Sequence, residues 1–216
     1  MARNFNGSSD LIIIAEGMTQ AMPSTIIVRF QHDNDDGTDY IFDDDGSDRH
    51  LMTDDASTNT RSWYIDNTII WNNATPVWAL ASAWHIFLGR MSSGDQDARI
   101  DEASLATETK TLASMGAPPN HFIGRRKTAI WYFAGGICDY ASCNFKLSTV
   151  QCDAIARGVS IFGICGGNLD FWLPLLGNDD PEPNWSSGGV QNSSTGALTG
   201  TSKTKNPSFE LIENYL

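Results

Sequence analysis

The sequence predicts an all-β protein, an antiparallel sandwich of two sheets with one short helix and a C-terminal extension of strand and loop. Three observations carry that expectation. Short runs rich in β-branched and aromatic residues recur about every 8 to 14 positions, separated by Gly, Asn, Asp, Ser and Pro, which is the rhythm of short strands joined by turns. Apolar residues alternate within the runs: in "STIIVRFQH", Ile26, Val28 and Phe30 share one face while Thr25, Ile27 and Arg29 share the other. With 41% hydrophobic and 19% charged residues in 216, the chain has the composition and length to bury a core without staples.

The first element is "FNGSSDLIII", Phe5 to Ile14, a polar turn feeding an apolar strand. Strands are expected next at Thr25 to Gln31, Tyr40 to Phe42, Arg61 to Ile65, Thr68 to Trp71, Val77 to Ala81 and His85 to Leu88. Ala98 to Ala103, Thr107 to Thr111, Phe122 to Arg125, Ala129 to Ala134 and Gly136 to Ser142 follow. In "GGICDYASC" strict alternation groups Ile137, Asp139 and Ala141 against Cys138, Tyr140 and Ser142, and a buried Asp139 needs hydrogen-bond partners. "LSTVQCDAIARG", residues 147 to 158, breaks the β pattern. Ser148 followed three residues later by Gln151 is a capping box, Val150, Ala154 and Ile155 keep helical spacing, and Gly158 stops the run, so a helix is expected near 148–157. From Asn178 to Asn206 the composition shifts to Gly, Ser, Asn, Thr and Pro, read as surface loops.

Lys and Arg number 14 against 26 Asp and Glu, a formal charge of −12, and the acidic excess gathers between Asp33 and Asp55. Such a field repels phosphate backbones and anionic lipid heads, so neither nucleic acid nor membrane is an expected partner; it suits divalent cations, neutral sugars or a basic protein surface. No apolar run reaches the roughly 20 residues that cross a bilayer, and "MARNFNGSSD" has no apolar signal core. The expectation is a chain made in the cytoplasm without a signal peptide, reaching a virion surface or the extracellular space by another route. Cys138, Cys143, Cys152 and Cys165 match no zinc spacing; for a leaderless chain the expectation is buried free thiols, with a disulfide as the alternative.

In this order the segments resemble the LamG-like jelly roll of the concanavalin A-like lectin and glucanase superfamily. The resemblance rests on Phe5 to Ile12, the strand Thr25 to Phe30, and "RIDE" at Arg99 to Glu102. It rests also on a closing run through Phe122, Ile123, Gly124, Arg125, Tyr132, Phe133, Gly135, Ile137, Asp139, Leu147, Ser148 and the capped helix. It implies a jelly-roll domain over 1–160 and an extension over 161–216 that completes the sandwich or contacts a neighbouring subunit. An element that usually opens such domains is missing at the front, and a similar one stands at Leu169 to Ser187. Leu169 to Leu175 is therefore expected to fill the vacant edge, in the same chain or by exchange.

The glucan-cutting members of the superfamily carry Glu-x-Asp-x-x-Glu on one strand, two carboxyl groups with split pKa values. That spacing is absent here, adjacent Asp101 and Glu102 point to opposite faces of a strand, and His32, His50, His85 and His121 form no local cluster, so no enzyme is expected. Calcium is the candidate cofactor, since hard cations take six to eight oxygens and "HDNDDGTDYIFDDDG" supplies Asp33, Asp35, Asp36, Asp39 and Asp43. A solvated acidic turn, which needs no ion, is the reading weighed above it, because Asp is common at turns for local hydrogen-bonding reasons. Sugar sites use aromatic faces with amides at the rim, so Trp63, Tyr64, Trp71 and Trp78 beside Asn72 and Asn73 form the candidate ligand patch, although tryptophans in a sandwich are more often core. The functional expectation is a non-enzymatic virion structural or decoration protein on the capsid or tail, partnered by other virion proteins or by itself as a homo-oligomer, with surface glycans as further ligands. The alternative is a calcium-assisted carbohydrate-binding lectin or adhesin module, and a degenerate glycanase ranks third.

Overall fold

The computed structural model describes residues 2–15, 22–32, 38–44, 50–55, 60–65, 68–73, 83–101, 106–108, 120–126, 128, 131–175 and 202–204. The strands are β1 (Ala2–Asn6), β2 (Ile12–Ala15), β3 (Ser24–His32), β4 (Thr38–Asp44), β5 (His50–Asp55), β6 (Thr60–Ile65) and β7 (Thr68–Asn73). They continue as β8 (Trp84–Ser92), β9 (Asp95–Ile100), β10 (Ala106–Glu108), β11 (Asn120–Ile123), β12 (Ala134–Cys143), β13 (Leu169–Leu173) and β14 (Ser202–Thr204). Two short helices, α1 (Thr149–Ala156) and α2 (Ile161–Cys165), lie between β12 and β13. The first sheet runs β10-β9-β8-β3-β12-β1-β14, with β13 also on β12, and the second runs β2-β11-β4-β5-β6-β7. Pairing is antiparallel throughout these ladders, as the short alternating runs predict. The expected strand at Val77 to Ala81 and the loops from Asn178 to Thr201 lie outside the described residues.

Between the sheets the core gathers Phe5, Ile12, Ile26, Val28, Phe30, Phe42, Trp63, Phe87, Ile123, Phe133, Ile137 and Tyr140. The partly apolar second side of β3 has its own partner layer. Ile27, with Ile86, Leu88, Ala141 and Cys143, packs against Leu147, Cys152, Ile155, Ile161 and Cys165 of the helical segment. This layer is fastened by charge as well: Arg90 pairs with Asp97 and donates to the Leu147 carbonyl, Arg99 reaches Asp153 at 2.7 Å, and Arg29 donates to the Ile155 carbonyl at 3.2 Å. The α1 start is the predicted capping box, with Gln151 N–H donating to Ser148 Oγ at 3.3 Å and Ser148 N–H to Gln151 Oε1 at 2.9 Å. The five-residue α2, capped by Ser160, was not expected from sequence.

Two expectations are corrected. Alternation along β12 breaks at Asp139, which adopts φ +51° while the register with β3 shifts between Cys138 and Ala141. This bulge puts Ile137 and Tyr140 together in the inter-sheet core and turns Ala141 and Cys143 toward the helices. Asp139 is satisfied by the Trp172 indole N–H, donating at 3.3 Å, and by Arg29 at 3.7 Å; burial still pushes its carboxyl above the ordinary range against both. The cysteines divide, with Cys143 bonded to Cys165 across 22 positions and Cys138 and Cys152 buried as thiols outside that disulfide.

One side of β12 is completed by two separate segments. β1 pairs with its first half, Ala134 to Ile137, and β13 with its second, Tyr140 to Cys143. Leu173 and Leu175 are fully buried in the core this creates, so Leu169 to Leu175 fills the edge within its own chain.

Candidate functional site

Strand directions collect one set of features at a single end of the sandwich. β3 ends there at His32, β4 begins there at Thr38, β1 ends at Asn6 opposite Ala134, and β5 and β6 meet where Asp55 faces Thr60. The strand ends that flank residues 33–37, 56–59 and 74–82 lie here, and those residues themselves are outside the described ones. "FNGSSD" forms a closed polar turn here: Asn6 Oδ1 accepts from the N–H groups of Ser8 and Ser9, both at 2.9 Å, while Asp10 Oδ2 accepts from Asn6 N–H at 3.0 Å. Burial raises the Asp10 carboxyl above its ordinary value despite those donors.

Beyond β11 the chain turns at Gly124, where φ is +84° and a Cβ would lie 2.3 Å from the Phe5 ring, so only glycine fits. A hairpin follows. Gly124 N–H donates to the Ile41 carbonyl at 2.9 Å, Phe133 N–H to Gly124 at 2.8 Å, and Arg126 N–H to Trp131 at 2.9 Å. This ladder carries Trp131 alongside β4, where its indole stacks on Tyr40 with centroids 5.5 Å apart and planes 11° from parallel. The Arg126 guanidinium lies 4.6 Å from the Trp131 centroid and 5.4 Å from that of Tyr40. Three such nearly equal separations rule out a sandwich with the indole in the middle, in which cation and phenol would stand about 7 Å apart or more given stacking distances of this kind. One indole face is thus covered by neither partner, and Trp131 is only half-buried. On the neighbouring turn Arg125 lies 4.9 Å over Phe122.

Below this stack, His32 Nε2 bonds Asp39 Oδ2 at 2.8 Å, Ala134 N–H donates to the same oxygen at 3.4 Å, and the His32 ring packs on Phe133. At the same end His85 Nδ1 bonds Asp101 Oδ2 at 2.8 Å while Ile86 N–H holds the other oxygen at 2.9 Å. Each carboxylate is therefore engaged in holding a strand end, not poised as half of an acid–base pair.

Of the residues predicted from sequence, the side chains of Trp63, Asp39 and Asp43 are described. Trp63 is fully buried, edge-on to Phe87 at 5.5 Å, because β6 turns it inward; it is a core residue and not a ligand contact. Tyr64, Trp71, Asn72 and Asn73 lie on β6 and β7, with Trp63 registered opposite Trp71, but their side chains and all of Trp78 lie outside the described residues. Asp39 and Asp43 stand four positions apart on β4, about 13 Å at ~3.3 Å per residue, whereas ligands of one calcium ion sit within about 2.6 Å of it. Asp43 is fully buried, with Oδ1 accepting from Asp44 N–H, so it cannot join Asp39 in one site. Asp33, Asp35 and Asp36 lie outside the described residues. Among the described residues no three His, Cys, Asp or Glu side chains gather to hold a metal ion. Sequence reasoning missed Tyr40, Arg126 and Trp131. Paired arginines five positions before a Trp in an acidic chain were visible, but the partner ring comes from a strand some ninety positions earlier.

No protein-family model matches the sequence, and no curated protein is similar to it in sequence. Solved structures are similar in fold. A heptameric SAP-like pentraxin from Limulus polyphemus superposes with a TM-score of 0.59 at 15% identity, over 74% of this chain and 83% of that one. A candidate carbohydrate-binding protein from Bacteroides ovatus reaches 0.70 at 12% identity, over 96% of this chain and 60% of the other. Domains LG4-5 of the mouse laminin alpha1 chain reach 0.55 at 12% identity, over 65% of this chain and 40% of the laminin chain. At such identities the likeness concerns architecture, and the architecture of this chain is a two-sheet antiparallel jelly-roll sandwich.

Proposed function

We propose that this chain is a carbohydrate-binding, lectin-like module and not a catalyst. The observation that carries the reading is the Tyr40–Trp131–Arg126 stack at this end of the sandwich, an aromatic platform carried by a hairpin and flanked by a cation, with one indole face covered by neither partner. A pyranose presents an apolar C–H face that such a platform matches, and the polar groups around it fix orientation. The Bacteroides ovatus neighbour supports the same reading, the laminin and pentraxin neighbours fit a protein that works outside a cell, and the heptameric pentraxin makes self-association a secondary expectation. A virion role, the leading expectation from sequence, has no such neighbour among them. A sialidase neighbour, NanB of Streptococcus pneumoniae, matches at 12% identity over 27% of its length, which is a likeness of fold alone.

A glycan array with the purified chain tests the proposal. At least one glycan is expected to bind, and Trp131→Ala is expected to weaken it roughly tenfold or more, the range for removing a stacking aromatic from a site. Binding that Trp131→Ala leaves untouched would move the site elsewhere, and an array blank at high concentration would remove the carbohydrate reading.

A further inference from the structure

We propose that the sugar recognised at this stack is acidic, one whose carboxylate or sulfate docks on Arg126 and Arg125 while its ring lies against Trp131. The inference rests on the carbohydrate-binding reading and adds the ligand's charge. It runs against the molecule's overall field, which at −12 favours neutral ligands, so its basis is local. Residues 125 to 127 read Arg-Arg-Lys, three of the 14 basic residues in sequence in an acidic chain.

Three arginines of the first sheet are held by acceptors. Arg90 bonds Asp97, Arg99 bonds Asp153, and Arg29 reaches Asp139 and the Ile155 carbonyl. Arg125 and Arg126 differ. Among the described residues neither guanidinium meets a carboxylate or carbonyl; each lies only on ring faces, Arg125 on Phe122 and Arg126 on Tyr40 and Trp131. In each the Nε is buried without a hydrogen-bond partner, and the residue as a whole is half-buried, not enclosed. Phe122 and Tyr40 both lie outside the inter-sheet core that takes Ile41, Phe42 and Ile123, which puts the two cations on the outer face of the second sheet. A guanidinium fork fits an oxyanion with two parallel charge-assisted bonds. A neutral ring placed there would cover two cations and supply no counter-charge, at a desolvation cost.

The test compares matched probes on the intact protein: tetragalacturonate against its fully methyl-esterified form, 3'-sialyllactose against lactose, and a heparin tetrasaccharide against its desulfated form. At least one acidic member is expected to bind roughly tenfold or more tighter than its neutral match and to weaken as sodium chloride is raised. Arg126→Gln is expected to erase both that preference and the salt dependence, and Arg126→Lys, which keeps charge without the fork, to fall between. Neutral members binding as well as acidic ones, or an acid preference that Arg126→Gln leaves intact, would overturn the proposal while the lectin reading stands. Failure of every probe together with a blank array would remove the lectin reading itself.

Discussion

His121 shows how strongly one residue's surroundings decide its chemistry. It is fully enclosed between the sheets, hydrogen-bonded to the Tyr140 hydroxyl and packed on Phe42, and burial lowers its pKa from 6.5 to about 3. Asp44 stands opposite it in the β4–β11 register, yet desolvation dominates and the ring stays neutral. The unfolded chain takes up a proton near pH 6.5 that the native state refuses, so this contribution to stability is complete above 6.5 and is lost as pH falls toward about 3. The slope is about 1.4 kcal/mol per pH unit inside that window. Asp10, Asp139 and Asp170, raised by burial, slope the other way, so the comparison to make is with a variant that keeps them. The stability difference between the native chain and His121→Gln, from urea melts at pH 7 down to pH 4, is expected to narrow steadily; a constant difference would mean that the imidazole titrates normally. None of this was legible in the sequence, where His121 is one histidine of four with no patterned neighbour.

At the level of elements, β13 is held by two kinds of bond. Backbone pairing joins it to the second half of β12, and Phe171 and Leu173 insert between the sheets while Trp172 turns outward to Asp139 and stacks on Phe162. Because Leu173 is fully buried, Leu173→Ala is expected to cost about 2–4 kcal/mol in denaturant unfolding. A loss below about 1 kcal/mol would show that the strand contributes pairing but no core. The strands with clean alternation and the capped helix could be read from sequence because period and caps are local properties. The reversal of faces along β12 could not, since a bulge depends on what the neighbouring strand and the Trp172 indole offer Asp139.

Across the whole molecule, a sheet buried on both faces stands between a second sheet and a helical layer, and the sequence hinted at this only through Ile27 on the supposed solvent side of β3. The candidate site was less legible than the fold. It draws on a hairpin and a distant strand, whereas the acidic run that attracted attention splits between a buried Asp43 and an engaged Asp39. Calcium on the remaining carboxylates, Asp33, Asp35 and Asp36, is still a property of the whole chain that can be measured: heat in a calorimeter after chelation and a raised Tm are expected, and the absence of both would exclude the ion. The shared edge of β12 has a further consequence for synthesis. One flank, β1, precedes the other, β13, by roughly 165 residues along the chain, so a nascent chain on the ribosome holds an open edge until β13 emerges. Such long-range closure slows folding and favours a holding chaperone during translation, and a stall before residue 169 would leave an aggregation-prone intermediate.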